Sequence, residues 1–177
     1  MWNDIPTKTK GNIVSVSANN SMFIGVSDSG EIIKSTNATD WEIKDFNKEY
    51  AGYLEYSKFT KVLATQNNIV IIGTHEDGSP SVLFSAMGNV WSERFPIYYD
   101  ENEKLHYLSN KPNGITYDAD HNQFILACDN GELFFLPSCT KCNKKIKITE
   151  ENLNALFYSD DNLYIVGDNF SVITQKL

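Results

Sequence analysis

The amino-acid sequence predicts an all-β fold, and more specifically a small β-propeller of four blades with four antiparallel strands each. Three observations predict it. Apolar residues alternate with the period of a strand, a strand–turn–strand unit recurs four times, and the tryptophans fall at equivalent places in the repeat. We expect one domain over residues 1–177, because a chain of this length can bury one sizeable core.

The strands are predicted by short runs of β-branched and aromatic residues that Asp, Asn, Gly and Ser separate at short intervals. Such runs occupy residues 13–16, 69–72, 124–127 and 163–166. The best helical candidate is the stretch 48–56, but it contains a glycine and lacks a clear cap. The pattern therefore favours an all-β chain.

The repeat is clearest in residues 23–33 and 124–134, which match position by position as a strand, an Asp-containing turn and a second strand. Residues 69–85 and 163–174 follow the same plan, and an apolar segment precedes each pair of strands. A unit of roughly 40 to 50 residues has the size of a propeller blade. The predicted blades cover approximately residues 11–47, 57–100, 112–150, and 151–177 together with 1–6.

The tryptophans predict how the ring closes. Two units end in a seven-residue frame, residues 35–41 and 85–91, which begins with Ser and ends with Trp. The fourth unit lacks this last part, and Trp2 lies in a matching segment at the other end of the chain. We therefore expect the N-terminal strand to complete the last blade in a monomer. A β-sandwich and an open half-ring that pairs with a second copy remain alternatives.

These units resemble bacterial neuraminidase-like (BNR, Asp-box) propeller repeats, including those of photosystem II assembly factors. The frame of that family is Ser-x-Asp-x-Gly-x-x-Trp, and here the Asp position holds Asn37 or Met87. The resemblance implies a propeller fold, which does not by itself carry a function. Sialidases of this kind hold the substrate carboxylate with three arginines, and Arg94 is the only arginine in the chain. Sialidase chemistry is therefore excluded.

Composition restricts the partners. The formal net charge of −8 argues against nucleic acid and against an anionic membrane surface. We find no apolar run long enough to span a membrane and no secretory signal. Three cysteines cannot all pair within one chain, so we expect a reducing, cytoplasmic setting.

Candidates for metal binding and catalysis are weak. Cys139 and Cys142 have the C-x-x-C spacing of half a zinc site, although we favour a turn that happens to carry cysteines. Cys128 fits a small buried residue better than a third ligand. His75 or His121 could serve as a general base in a hydrolase or lyase, but no spacing supplies an orienting partner. We expect no cofactor.

A binding surface is the stronger prediction. In a propeller, the connectors between blades open on the same face as the turns between second and third strands. Tyrosines in the two long connectors would therefore share a face with acidic turns, and such a face suits a protein or peptide partner. The predicted binding residues are Tyr50, Tyr53, Tyr56, His75, Asp77, Tyr98, Tyr99 and Tyr107, and the turns carry Asp28, Asp77, Asp129 and Asp168.

The sequence thus predicts a non-catalytic binding or scaffolding module. A receptor for a glycan, a small molecule or a cation at the mouth of the central channel is the alternative. The basic residues Lys141, Lys144, Lys145 and Lys147 are expected near the opposite face or the outer edge, away from the tyrosines.

Overall fold

The structure is a computed structural model that describes residues 7–51, 57–169 and 172–177. Four antiparallel sheets follow one another along the chain, and their strands neighbour each other in sequence order. The first sheet contains β1 (Ile13–Ala18), β2 (Phe23–Ser27), β3 (Glu31–Ser35) and β4 (Glu42–Asp45). The second sheet contains β5 (Ser57–Ala64), β6 (Ile69–His75), β7 (Pro80–Ser85) and β8 (Ser92–Glu93). A separate hairpin of β9 (Ile97–Tyr99) and β10 (Leu105–Tyr107) follows.

The third sheet contains β11 (Pro112–Asp118), β12 (Gln123–Cys128), β13 (Glu132–Leu136) and β14 (Lys144–Lys147). The described strands of the fourth sheet are β15 (Leu153–Ser159), β16 (Asn162–Gly167) and β17 (Val172–Lys176). The four sheets are the blades of an all-β propeller of four blades, which confirms the predicted fold class. The predicted strand around Trp2 lies outside the described residues.

Each innermost strand carries an irregularity at the same place. The pairing register shifts between Ile13 and Ser15 in β1, and equivalent shifts occur near the start of β5, β11 and β15. A bulge bends a strand and increases its local twist, so the four blades begin with the same backbone device. The repeat read from the sequence is therefore also a repeat of backbone geometry.

The single α-helix in the described part of the chain is the short α1 (Phe46–Glu49), between the first and second sheets. The Lys48 backbone N–H donates to Asp45 Oδ1 at 3.1 Å, which caps the helix. The best helical candidate in the sequence, residues 48–56, overlaps this helix only at Lys48 and Glu49. Residues 52–56 lie outside the described residues.

Three hydrophobic clusters hold consecutive sheets together. Ile24 and Val26 of the first sheet pack with Ile69 and Ile71 of the second. The opposite face of β6 carries Val70 and Ile72, which pack against the third sheet. The third sheet in turn buries its other face against the fourth. Fully buried aliphatic strands of this kind supply most of the folding energy through removal of apolar surface from water.

None of the helices in the described part of the chain is long and apolar enough to cross a membrane.

Candidate functional site

A cleft of about 930 Å³ lies beside the second sheet, and we call it the Trp91 cleft. Its described lining is Glu49, Tyr50, His75, Asp77, Ser79, Pro80, Trp91, Ser92, Glu93, Phe95 and Leu108. Three of the predicted binding residues, Tyr50, His75 and Asp77, thus meet in one place. The described lining includes three carboxylates and contains neither lysine nor arginine.

Trp91 forms a buried wall of this cleft, with 3% of its surface exposed. Its backbone N–H donates to the Tyr50 hydroxyl at 3.1 Å. The Tyr50 ring in turn stacks on Phe46, with ring centroids 4.7 Å apart. Among the described residues, no hydrogen-bond partner is found for the indole Nε1 of Trp91. Tyr50 therefore fixes the tryptophan loop of the next sheet as well as lining the cleft.

A buried histidine–carboxylate pair lies next to Trp91. His75 Nε2 is 2.6 Å from Glu93 Oε1, and less than a tenth of either side chain is exposed. On its other side, His75 Nδ1 is 3.4 Å from the Ser57 hydroxyl, which also contacts Ser81 Oγ at 3.1 Å. Strand β6 extends to His75 and buries its side chain, so His75 does not lie in the exposed turn with Asp77.

The Ser57–His75–Glu93 chain has the residue types of a catalytic triad, but its hydroxyl is not accessible. Ser57 has no exposed surface and lies at the first position of β5. A nucleophile must reach its substrate, so this chain of contacts fits a structural role that fixes the imidazole ring. His75 and Glu93 line the cleft, and these contacts hold the two side chains there as a fixed polar edge.

Asp77 forms the rim of the cleft at the tip of the turn between β6 and β7. Its Oδ1 accepts hydrogen bonds from the Ser79 hydroxyl at 2.6 Å and from the Ser79 backbone N–H at 2.8 Å. Both hydrogen bonds hold the pKa of Asp77 below its usual value, and the one from the Ser79 hydroxyl has the larger effect. The carboxylate is therefore charged at neutral pH, and its second oxygen is free to accept from a ligand.

The remaining described tyrosines lie elsewhere. Tyr98 stacks on His106, with ring centroids 5.2 Å apart, and its hydroxyl accepts a hydrogen bond from Lys145 Nζ at 3.2 Å. Tyr98 and Tyr99 line a second cleft of about 520 Å³, the Tyr98 cleft, together with Cys142, Lys144 and Lys145. Lys144, Lys145 and Lys147 lie on β14, the last strand of the third sheet, which agrees with the expected outer edge, and Lys145 contacts Tyr98 there.

Tyr107 contacts neither cleft and is 61% exposed, and Tyr53 and Tyr56 lie outside the described residues. The predicted single tyrosine-rich surface is thus divided, in the described part of the chain, between two clefts and one exposed strand. Only Tyr50 accompanies His75 and Asp77.

In the other three blades, the aspartate of each acidic turn accepts a hydrogen bond from an asparagine of the same sheet. Asn12 Nδ2 donates to Asp28, Asn113 Nδ2 to Asp129, and Asn152 Nδ2 to Asp168. These bonds tie the turn between second and third strands to the beginning of the innermost strand. Across residues 7–51, 57–169 and 172–177, no group of three or more His, Cys, Asp or Glu residues could hold a metal ion.

Cys139 and Cys142 belong to the hydrophobic cluster between the second and third sheets. Strand β9 holds their turn, since the Ile97 N–H donates to Thr140 O and the Cys142 N–H donates to Ile97 O. Burial raises the pKa of Cys139 to about 12 and raises the pKa of Cys142. Nucleophilic attack requires the thiolate, which burial disfavours at both cysteines. Cys128 is fully buried in the same cluster.

His121 lies on the other side of the third sheet, where its Nδ1 contacts Asp118 Oδ2 at 2.8 Å. Asp118 is fully buried and also accepts from the His121 backbone N–H and from Gln123. This arrangement fixes the turn between β11 and β12.

Sequence reasoning missed Glu93, Phe95 and the special position of Trp91. Glu93 and Phe95 follow the second tryptophan frame directly, but no local pattern shows that Glu93 meets a histidine 18 positions earlier. The strand that follows the frame, β8, runs back along β7 toward the turn between β6 and β7, and this direction brings Glu93 within reach of His75.

Comparison with known proteins identifies the fold alone. No protein-family profile and no curated protein sequence matches the chain. The computationally designed Ika4 protein is similar with a TM-score of 0.62 and 11% identity, over 100% of this chain and 99% of Ika4. The β-propeller domain of Cps50 (Swd1) from Myceliophteria thermophila gives 0.63 and 11%, over 92% of this chain and 51% of that domain. BamB from Moraxella catarrhalis gives 0.57 and 12%, over 92% and 42%. The chain thus spans about half the length of these two natural propellers.

Proposed function

We propose that the protein is a non-catalytic binding or scaffolding module that recognises a segment of a protein or peptide in the Trp91 cleft. The observation that carries the proposal is the chemistry of the lining, in which the apolar surface of Tyr50, Trp91 and Phe95 adjoins the charged rim residue Asp77. Apolar walls with a few fixed polar groups are typical of ligand sites. Phe95 is 58% exposed and adds apolar surface at the cleft that a bound partner would cover.

The ligand best suited to this cleft is a peptide segment with a lysine or arginine next to an apolar residue. The carboxylates of Glu49, Asp77 and Glu93 produce a negative potential, although Lys44 and His75 each pair with one of them. A cationic side chain would meet Asp77 at the rim and aromatic rings inside. Its apolar neighbour would cover Phe95.

The proposal extends to the repeat type. We infer that the loops at residues 35–41 and 85–91 are degenerate Asp-box turns. In support, Asn37 Oδ1 accepts from the backbone N–H groups of Thr39 and Asp40, both at 2.9 Å, as an aspartate would. The three free and buried cysteines support a reducing, cytoplasmic setting for the module.

The experiment is selection of a random displayed peptide library on the 177-residue protein, followed by calorimetric titration of the enriched peptide. We expect enrichment of peptides that combine lysine or arginine with an apolar residue. The double variant Asp77→Asn/Phe95→Ala should bind the enriched peptide about tenfold more weakly or worse.

A matched control is the double variant Asp100→Asn/Tyr99→Ala, which changes the same kinds of residue at the Tyr98 cleft. Its affinity should equal that of the wild type. Equal losses in both variants, or enrichment of acidic peptides, would contradict the proposal.

A further inference from the structure

One interface between blades differs from the other three. The first and second, second and third, and third and fourth sheets each share a buried hydrophobic cluster. Within the described residues, no cluster, hydrogen bond or ion pair joins the first sheet to the fourth. We call these two unpartnered sheet faces the seam.

The fourth sheet contributes a continuous apolar face to the seam. Phe157 pairs with Tyr164, and Val166 pairs with Val172, so the four side chains are cross-strand neighbours. Their exposures are 63%, 43%, 43% and 73%. The opposite face of β16 is buried, with Leu163 and Ile165 packed against the third sheet. Alternation along the strand therefore places an equally apolar row on the open side.

The first sheet contributes the other face. The Ser15 and Ser17 hydroxyls accept hydrogen bonds from the backbone of the second sheet, at Val62 and Ala64. Val16 alternates with these serines and therefore points away from the second sheet, and it is 66% exposed. Phe23, 41% exposed, lies on the neighbouring strand opposite Ala18. Both sides of the seam are thus apolar surfaces of the kind that the other interfaces bury.

The arrangement of the sheets fits a larger ring as well as a small one. The four sheets superpose on about half of the Swd1 β-propeller domain with a TM-score of 0.63, compared with 0.62 for Ika4 over its whole length. The two ends of this chain carry the exposed seam faces.

We propose that two copies of the chain close one ring of eight blades, in which the fourth sheet of each copy packs on the first sheet of the other. The contact joins two different surfaces, but it is made twice around a two-fold axis, so the assembly closes and does not form a fibre. This arrangement buries the seam faces of both copies. The proposed dimer corresponds to the half-ring alternative that the sequence left open. The sequence itself favoured a monomer.

The first test is the mass of the purified chain by sedimentation equilibrium over a range of micromolar concentrations. We expect twice the chain mass of 20.0 kDa. A species of 20.0 kDa at every concentration would overturn the proposal in favour of closure within one chain, and species larger than a dimer would overturn the two-fold closure.

The second test uses substitutions at exposed positions, which leave the blade cores intact. Val16→Lys and Val172→Lys should each give a folded monomer, because each damages both contacts of the homodimer. Val90→Lys is the matched control, since Val90 is 77% exposed in a turn of the second sheet. It should remain a dimer.

Mixing the two monomeric variants gives the most specific result. A heterodimer of Val16→Lys with Val172→Lys keeps one contact between unaltered faces, so the mixture should regain the dimer mass. If the mixture stays monomeric, or if Val90→Lys dissociates as the seam variants do, the seam is not the interface.

Discussion

The tryptophan loops of the first and second sheets share one sequence frame but have different surroundings. Both turn through a left-handed residue at the fourth position, Ala38 with φ 61° and Gly88 with φ 70°. Trp41 is partly exposed, and its Nε1 donates to Ala38 O at 3.2 Å. Trp91 is buried and forms a wall of the cleft, and its backbone N–H donates to the Tyr50 hydroxyl. The repeat thus determines the turn, whereas the neighbouring blade determines whether the tryptophan builds a site.

The largest expected effect separates the two tryptophans by stability. Trp91→Ala should lower the free energy of unfolding by about 3–5 kcal/mol, because it leaves a cavity between the first and second sheets. Trp41→Ala should cost about 1 kcal/mol, as a partly exposed side chain does. Urea unfolding followed by circular dichroism measures both. Equal losses would mean that the two loops are energetically equivalent and that the comparison fails.

A smaller effect tests why Trp91 is buried. Tyr50→Phe keeps the ring that stacks on Phe46 but removes the acceptor of the Trp91 backbone N–H. Loss of this hydrogen bond should destabilise the protein by about 1–2 kcal/mol. Tyr107→Phe removes an exposed hydroxyl and is the matched control, with no expected change in the urea midpoint. An unchanged midpoint for Tyr50→Phe would show that the tryptophan loop is fixed by other contacts.

The smallest effect concerns the third position of the two frames. Asn37 makes side-chain hydrogen bonds to Ser35, Thr39 and Asp40, whereas Met87 in the second frame is 68% exposed. Asn37→Ala should therefore cost about 1 kcal/mol and Met87→Ala less than about 0.5 kcal/mol. Thermal unfolding of the two variants checks the difference. If Met87→Ala lost more stability than Asn37→Ala, the side-chain hydrogen bonds of Asn37 would not be what stabilises the turn of the first frame.

Much of the fold could be predicted because strand period and turn residues are local signals. The match between residues 23–33 and 124–134 corresponds to the same two paired strands in the first and third sheets. The start of α1 was missed because the Asp45 cap follows directly from a strand, where no break in the pattern marks it. Local patterns thus predict elements better than their ends.

The site was only partly predictable, since it depends on contacts between residues far apart in sequence. His75 and Asp77 were predicted with Tyr50, and all three line the Trp91 cleft. Tyr98 was predicted for the same surface, but its stacking on His106 and its contact with Lys145 place it in another cleft. A tyrosine in a connector carries no local signal of the blade against which it packs.

The central claim, that the Trp91 cleft is the binding site, is tested most directly by the indole N–H signals in a proton–nitrogen correlation spectrum. The Trp91 signal is assigned from Trp91→Phe and the Trp41 signal from Trp41→Phe. When the library-selected peptide is titrated into the labelled protein, the Trp91 signal should move to saturation while the Trp41 signal stays in place. A shift of Trp41 without Trp91, or no shift of either at saturating peptide, would contradict the account.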